Sequence, residues 1–248
     1  MKKPTNVREI AAARSRRAFL TMGIGAAAAL GGVALVRSGA EEDKRAGLLR
    51  KVLRGNEKVA EAYFSDGHLA PTFDPPPAGT ETRANGDEGL GDDFDPETWV
   101  LNLEGAHGVE ARQITLAQIR ELPRVEQTTQ LNCVEGWTEV VHWAGARMAD
   151  FAAKYAPQAR QTKYIGMETP DKGYFVGLDT ASALHPQTLL CYEMNGAELT
   201  SEHGAPLRLV IPVKYGIKNI KRIGKITYTD ERPADYWAKE GYDWYAGL

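Results

Sequence analysis

Leu131-Asn132-Cys133-Val134-Glu135-Gly136-Trp137 places a thiol where a strand gives way to a loop. Gln127 to Val134, with Thr128 and Thr129 among them, reads as a β-strand, and Gly136 follows it. A side chain on such a junction sits at a sheet edge, where a ligand or substrate can approach. Three readings of Cys133 follow. A free cysteine can pack as a small hydrophobe. It can act as a nucleophile if a base is near, and His142 or His203 could serve. Its soft thiolate can also ligate a transition metal. The chain contains no C-x-x-C, no H-E-x-x-H and no clustered His/Cys, which argues against zinc and iron–sulfur centres. Without C-x-x-C-H, covalent haem is excluded.

Further along, Leu189 to Met194 reads as an apolar strand leading into Asn195-Gly196, a strong hairpin-turn dipeptide. Cys191 lies inside that strand and reads as core packing. His203-Gly204-Ala205-Pro206-Leu207-Arg208 then enters a second apolar strand, Leu207 to Val213. Arg208 beside that strand is costly unless its charge is paired, by a phosphate or a carboxylate. The next loop concentrates Lys214, Lys218, Lys221, Arg222 and Lys225 around Gly216. It is either a solvated basic surface or an anion site, where backbone N–H and ammonium groups act together.

The rest of the chain narrows the class. Its 248 residues, 43% hydrophobic and 25% charged, exclude collagen, low-complexity disorder and a polytopic membrane protein. The net charge of -3 averages two unlike parts. Residues 1–40 carry seven basic side chains and one acid, and the remainder holds 23 Lys/Arg against 32 Asp/Glu. An acidic body is the wrong sign for nucleic acid, so no nucleic-acid partner is expected. Ser15-Arg16-Arg17-Ala18-Phe19-Leu20 and the uncharged run Thr21 to Val36 have the layout of a twin-arginine export signal. Cleavage is expected after Ala40, giving a periplasmic protein; an uncleaved membrane anchor facing the periplasm is the alternative. Gly23-Ile24-Gly25-Ala26-Ala27-Ala28 mimics a dinucleotide fingerprint, but no apolar strand leads into it. Two cysteines are too few for a disulfide scaffold.

Four parts are expected: a twin-arginine signal segment over 1–40, an N-terminal helix and extended arm over 41–97, a core over 98–232 and a tail over 233–248. Residues 41–64 carry Leu48, Leu49, Val52, Val59, Ala60 and Tyr63 near helical spacing. From Pro71 to Glu97 the chain is rich in Pro, Gly, Asp and Thr and reads as an extended surface arm. Within the core, Trp99 to Leu103 and Lys225 to Thr229 read as strands. Thr115-Leu116-Ala117-Gln118 is a capping box, and Met148, Phe151, Ala152 and Tyr155 share a helix face. Hairpin-paired strands mixed with a few helices predict an α+β fold with a mixed sheet.

Four motifs carry a resemblance: Cys133-Val134-Glu135-Gly136-Trp137, Tyr192-Glu193-Met194-Asn195-Gly196, His203-Gly204-x-Pro206-x-Arg208 and Lys214-Tyr215-Gly216-x-Lys218-x-Ile220-Lys221. In order and spacing they resemble the sulfite-oxidase family of molybdopterin-dependent oxidoreductases, over most of residues 60–232. The resemblance implies a single molybdopterin-binding domain, with Cys133 as the thiolate ligand of molybdenum. It implies that His203 and Arg208 hold the pterin and its phosphate, and that Asn219, Ile220 and Lys221 close over the cofactor. Thr169 and His68 fall where the family has further cofactor contacts, and Tyr174 where a tyrosine lines the active site. Asp66 stands two residues before His68, where sulfite oxidases have an arginine that holds their anionic substrate. The implied activity is two-electron oxygen-atom transfer on a small substrate, foremost S-oxide reduction, with sulfite oxidation second. Electrons would come from a separate partner such as a membrane cytochrome, since no room remains for a haem or dimerisation domain. Two other readings use the same residues: an exported anion-binding protein and a thiol hydrolase.

Overall fold

The computed structural model describes residues 52, 55–77 and 79–248. The signal segment and its dinucleotide-like decoy, together with most of the expected 41–64 helix, lie outside them. Two five-stranded sheets carry the fold. The first has the order β2 (Arg112–Ile114), β1 (Leu101–Gly105), β10 (Lys225–Thr229), β5 (Tyr164–Glu168), β6 (Phe175–Asp179). β1 runs parallel to β10, with Leu103 opposite Ile226, and every other neighbour in that sheet is antiparallel. The second sheet joins β3 (Arg124–Asn132), β4 (Thr138–Arg147), β7 (Leu189–Met194) and β8 (Ala197–Glu198), and β9 (Arg208–Val210) pairs with β7. The parallel pair makes the architecture the expected α+β arrangement with a mixed sheet.

Alternation builds the first sheet's core face. Leu101 and Leu103, Ile165 and Met167, and Ile226 and Tyr228 are buried while their strand neighbours are less so. Helix α3 (Met148–Tyr155) packs Met148, Phe151, Ala152 and Tyr155 into the same core, the stripe expected from their spacing. The Thr115 capping box forms with both of its hydrogen bonds and opens α2 (Leu116–Arg120). The Asn195-Gly196 turn takes positive φ at both residues, 50° and 81°, and joins β7 to β8.

Several boundaries differ from the sequence expectation. β1 begins at Leu101, not Trp99, whose indole N–H instead donates to the Ile223 carbonyl at 3.0 Å. β3 ends at Asn132, so Cys133 belongs to the turn that follows. β9 stops at Val210, and the next backbone N–H, of Ile211, is taken by the Asn219 side chain at 2.8 Å. The ten-residue β4 was not expected. A bulge between Ala144 and Gly145 breaks its register, and a Cβ on Gly145 would lie 2.2 Å from the Leu190 carbonyl oxygen. In the helix over 55–63, α1, Val59 and Tyr63 are exposed, so the expected apolar stripe is not a core face there.

Candidate active site

The hairpin between β3 and β4 presents Cys133. Its N–H donates to the Trp137 carbonyl at 3.0 Å and its carbonyl accepts from Gly136 N–H at 3.1 Å. Gly136 closes this turn at φ +89°, a conformation glycine adopts without strain. Burial pushes the thiol up from its ordinary value, with the Glu135 carboxylate adding to the shift. Among the described residues no imidazole hydrogen-bonds the sulfur. His142 sits on β4, its Nδ1 2.9 Å from the Thr128 hydroxyl, and does not line the cleft. Cys191 is fully buried in β7, and burial pushes its thiol up to about 12. Both cysteines are free.

Cys133 shares one cleft with Tyr174, His203, Arg208, Asn219 and Lys221. Arg208 is only 4% exposed, yet its guanidinium finds carbonyls rather than a carboxylate: His203 at 3.1 Å and Asn219 at 3.4 Å. Its Nε has no hydrogen-bond partner, and the Trp143 ring lies 4.9 Å away. Burial pushes it down to about 10. His203 reaches the cleft from a short helical turn, Ser201–His203, and burial together with Arg208 and Lys221 lowers its basicity. The turn ends at Gly204, φ +92°, where a Cβ would come within 2.6 Å of the Lys221 Cβ. That close approach sets the histidine turn against the lysine loop.

The cation-rich loop divides. Lys218 turns inward, with its Nζ 2.5 Å from Asp235 Oδ2 and 2.9 Å from the Gly177 carbonyl. Lys214 lies 3.4 Å from Asp179 against the Tyr245 ring, and Lys225 pairs with Glu104 at 2.6 Å. Arg222 donates to the Gly91 carbonyl and the Ser201 hydroxyl. Of the five cations, only Lys221 lines the cleft, so the expectation of one basic cluster facing a ligand is corrected.

The arm over 71–97 is extended, as expected, but it is a wall of the site and not a free surface strand. Thr82, Arg83, Asn85, Gly86 and Glu88 line the cleft. The arm is pinned along its length. Asn195 donates to the Thr80 carbonyl and the Thr82 hydroxyl, Glu139 accepts from Arg83 N–H, and Lys221 donates to the Asn85 and Gly86 carbonyls. Arg83 lies over the Trp137 ring at 4.7 Å. Pro, Gly and Asp in this stretch signalled a loop, and nothing in it signalled where the loop would lie.

The remaining expected residues stand back from the cleft. Ile220 is buried in the core. Thr169 is buried behind Tyr174, whose N–H donates to the threonine hydroxyl at 3.1 Å. The Tyr174 hydroxyl donates to the Ile217 carbonyl at 2.6 Å, and burial holds its proton firmly. His68 borders a separate groove, stacked on Tyr63, and its Nδ1 lies 2.8 Å from that residue's carbonyl. Asp66 borders another groove with Arg160 and Lys163. The contrast drawn between Asp66 and a substrate-holding arginine therefore lapses; the arginine at the cleft is Arg83.

This arrangement suits a ligand with two characters. A buried guanidinium with an orphan N–H, an ammonium and an imidazole fit a phosphate-bearing organic group. A thiol at the same cleft fits a soft metal.

Comparison with known proteins agrees with this geometry. The model of the oxidoreductase molybdopterin binding domain matches residues 89–237, a span that contains Cys133, Tyr174 and His203 through Lys221. The chain is 32% identical over 241 residues to a candidate protein-methionine-sulfoxide reductase subunit of Azospira oryzae, covering 94% of this chain and 88% of that protein. It is 31% identical over 169 residues to the protein-methionine-sulfoxide reductase catalytic subunit of Ralstonia nicotianae, of which it spans about half (51%) and which covers 62% of this chain. The sulfane dehydrogenase of Paracoccus pantotrophus has the same fold, with a TM-score of 0.51, at 18% identity over 56% of this chain and 40% of that one.

Proposed function

The chain belongs to the molybdopterin-binding oxidoreductases of the sulfite-oxidase family, and from that premise we propose that its cleft holds molybdenum–molybdopterin and reduces S-oxides. The observation that carries the reading is the pairing of Cys133 with Arg208 in one cleft. When bound, the group supplies two-electron oxygen-atom transfer. Cys133 would ligate the metal. Arg208, through its orphan Nε–H, would hold the pterin phosphate together with Lys221, and His203 and Asn219 would border the pterin. Tyr174 anchors the loop through Ile217, and its hydroxyl is already committed there, so it walls the site. Thr169 positions that tyrosine. Trp137, Trp143 and Trp237 make the cleft's walls largely aromatic and limit water beside the reacting atoms.

S-oxide reduction is favoured by the two relatives named for protein-methionine-sulfoxide reduction, one of them aligned over nearly this whole chain. Arg83 supports sulfite oxidation as the second reading, since a guanidinium at the cleft suits an anionic substrate. The twin-arginine segment supports export to the periplasm, and electrons would come from a separate partner, for which a membrane cytochrome is the natural class.

Metal and pterin analysis of protein made in a pterin-competent host tests the reading. Stoichiometric molybdenum is expected, and Cys133→Ser should reduce turnover to background and change or abolish the Mo(V) paramagnetic signal. Molybdenum-free wild-type protein, or a Cys133→Ser variant with wild-type turnover and signal, would sink it. Parallel assays with a sulfoxide and with sulfite decide between the two reactions.

A further inference from the structure

The Cys133 cleft does not end at its own mouth. Val134, Ile217 and Tyr242 line both that cleft and a second groove, which runs past Ala246 and Gly247 to Ala60. Ala60 and Gly247 also border a third groove, walled by Tyr63, Leu69 and Leu248. The two chain neighbours of Cys133 open onto this path: Val134 borders the second groove and Asn132 the third. The three concavities therefore form one trough that starts at the candidate metal ligand.

Its walls are apolar and uncovered. Tyr63 is 64% exposed and Leu69 59%, and Val134, Tyr242 and Leu248 are exposed as well. Single exposed apolar side chains are ordinary. Several gathered along one concavity mark a surface that binds something.

The geometry points to an extended polypeptide as the occupant, carrying its oxidised sulfur into the Cys133 cleft and laying neighbouring apolar residues over Tyr63, Leu69 and Leu248. Continuity with the cleft selects this occupant. A free sulfoxide fills only the first concavity, and an electron partner needs only the rim, whereas a chain threaded through the reacting centre must leave along the trough. Glu240 and Asp243 border the middle groove, so an acidic segment is repelled there. The inference rests on the S-oxide-reducing reading of the site.

The test uses holoenzyme with reduced viologen as donor and three substrates: free methionine sulfoxide, a decapeptide with one methionine sulfoxide among Leu and Val, and its counterpart with Glu in their place. Wild type should show a lower KM for the apolar peptide than for the acidic one. Leu69→Ser and Tyr63→Ser should raise the apolar-peptide KM about five-fold, the effect of losing a partly buried apolar contact. The KM for free methionine sulfoxide and all kcat values should stay unchanged. Both side chains are exposed, so the variants should fold, and equal molybdenum content verifies that. Unchanged peptide KM in both variants, or parallel changes with the free sulfoxide, overturns the trough. If holoenzyme reduces no sulfoxide at all, the activity reading fails separately. Fluorescence anisotropy with labelled apolar peptide then decides the trough: about five-fold weaker binding by the variants supports it, and equal binding overturns it.

Discussion

Lys218 and Arg208 are buried to nearly the same degree, 0% and 4% exposed, and lie ten residues apart, yet the fold treats their charges in opposite ways. Lys218 meets the Asp235 carboxylate at 2.5 Å. That carboxylate also accepts from the N–H groups of Gly177 and Ala238, so β6, the loop at 216–218 and helix α5 (Tyr236–Lys239) meet at one counter-charge. Arg208 meets only carbonyls, an indole face and, at Nε, nothing. A buried cation answered within the fold is a structural joint. One left unanswered beside a cleft is a site prepared for an anion from outside. The candidate function rests on the second kind, while the first kind holds its walls in register.

The largest expected effect tests the answered charge. Asp235→Asn leaves Lys218 buried without its counter-charge and should destabilise the fold by about 3–5 kcal/mol, read from urea unfolding. A loss under about 1 kcal/mol, within the range of ordinary surface substitutions, would make the pair incidental.

Arg208→Met should show the reverse pattern. It removes an unpaired buried charge, so cofactor-free protein should be as stable as wild type or more so. Pterin affinity should fall by at least about 30-fold, because a charge partner of the phosphate is gone; pterin released on dilution measures it. Equal pterin retention in variant and wild type would collapse the distinction between the two cations.

The smallest effect concerns Lys214, an intermediate case with Asp179 at 3.4 Å and the Tyr245 ring beneath it. Burial pushes this lysine down to about 7 from an ordinary value near 10.5. Between those two values the unfolded chain binds more protons, so this group's contribution to stability rises with pH across the window. Below about pH 7 the lysine is charged in both states and the slope vanishes. Lys214→Met should flatten the pH dependence of the unfolding free energy between roughly pH 7 and pH 10. An unaltered slope would place Lys214 with ordinary surface lysines.

Local signals in the chain were read correctly where their cause is local. The Thr115–Gln118 box depends on four consecutive residues, the Asn195-Gly196 turn on two, and the α3 stripe on one helical period. β4 escaped because its bulge at Ala144/Gly145 exists only against Leu190 and Cys191. Likewise His68 fits a motif by spacing alone, while the arm segment that reaches the cleft is held there by Asn195, Glu139 and Lys221, which come from distant parts of the chain.

By itself, the order of residues determined a thiol at a strand end, a histidine–arginine pair entering an apolar strand, a cation-rich loop and a basic leader on an acidic body. Those features depend on neighbours in the chain, through backbone preference, hydrophobic period and formal charge. Only the tertiary structure decided which cations are answered and which face the cleft, because Asp235, Asp179 and Glu104 approach Lys218, Lys214 and Lys225 across long stretches of sequence. A charge's role depends on what surrounds it in space, and in a low-dielectric interior a single carboxylate within hydrogen-bonding distance separates a joint from a binding site.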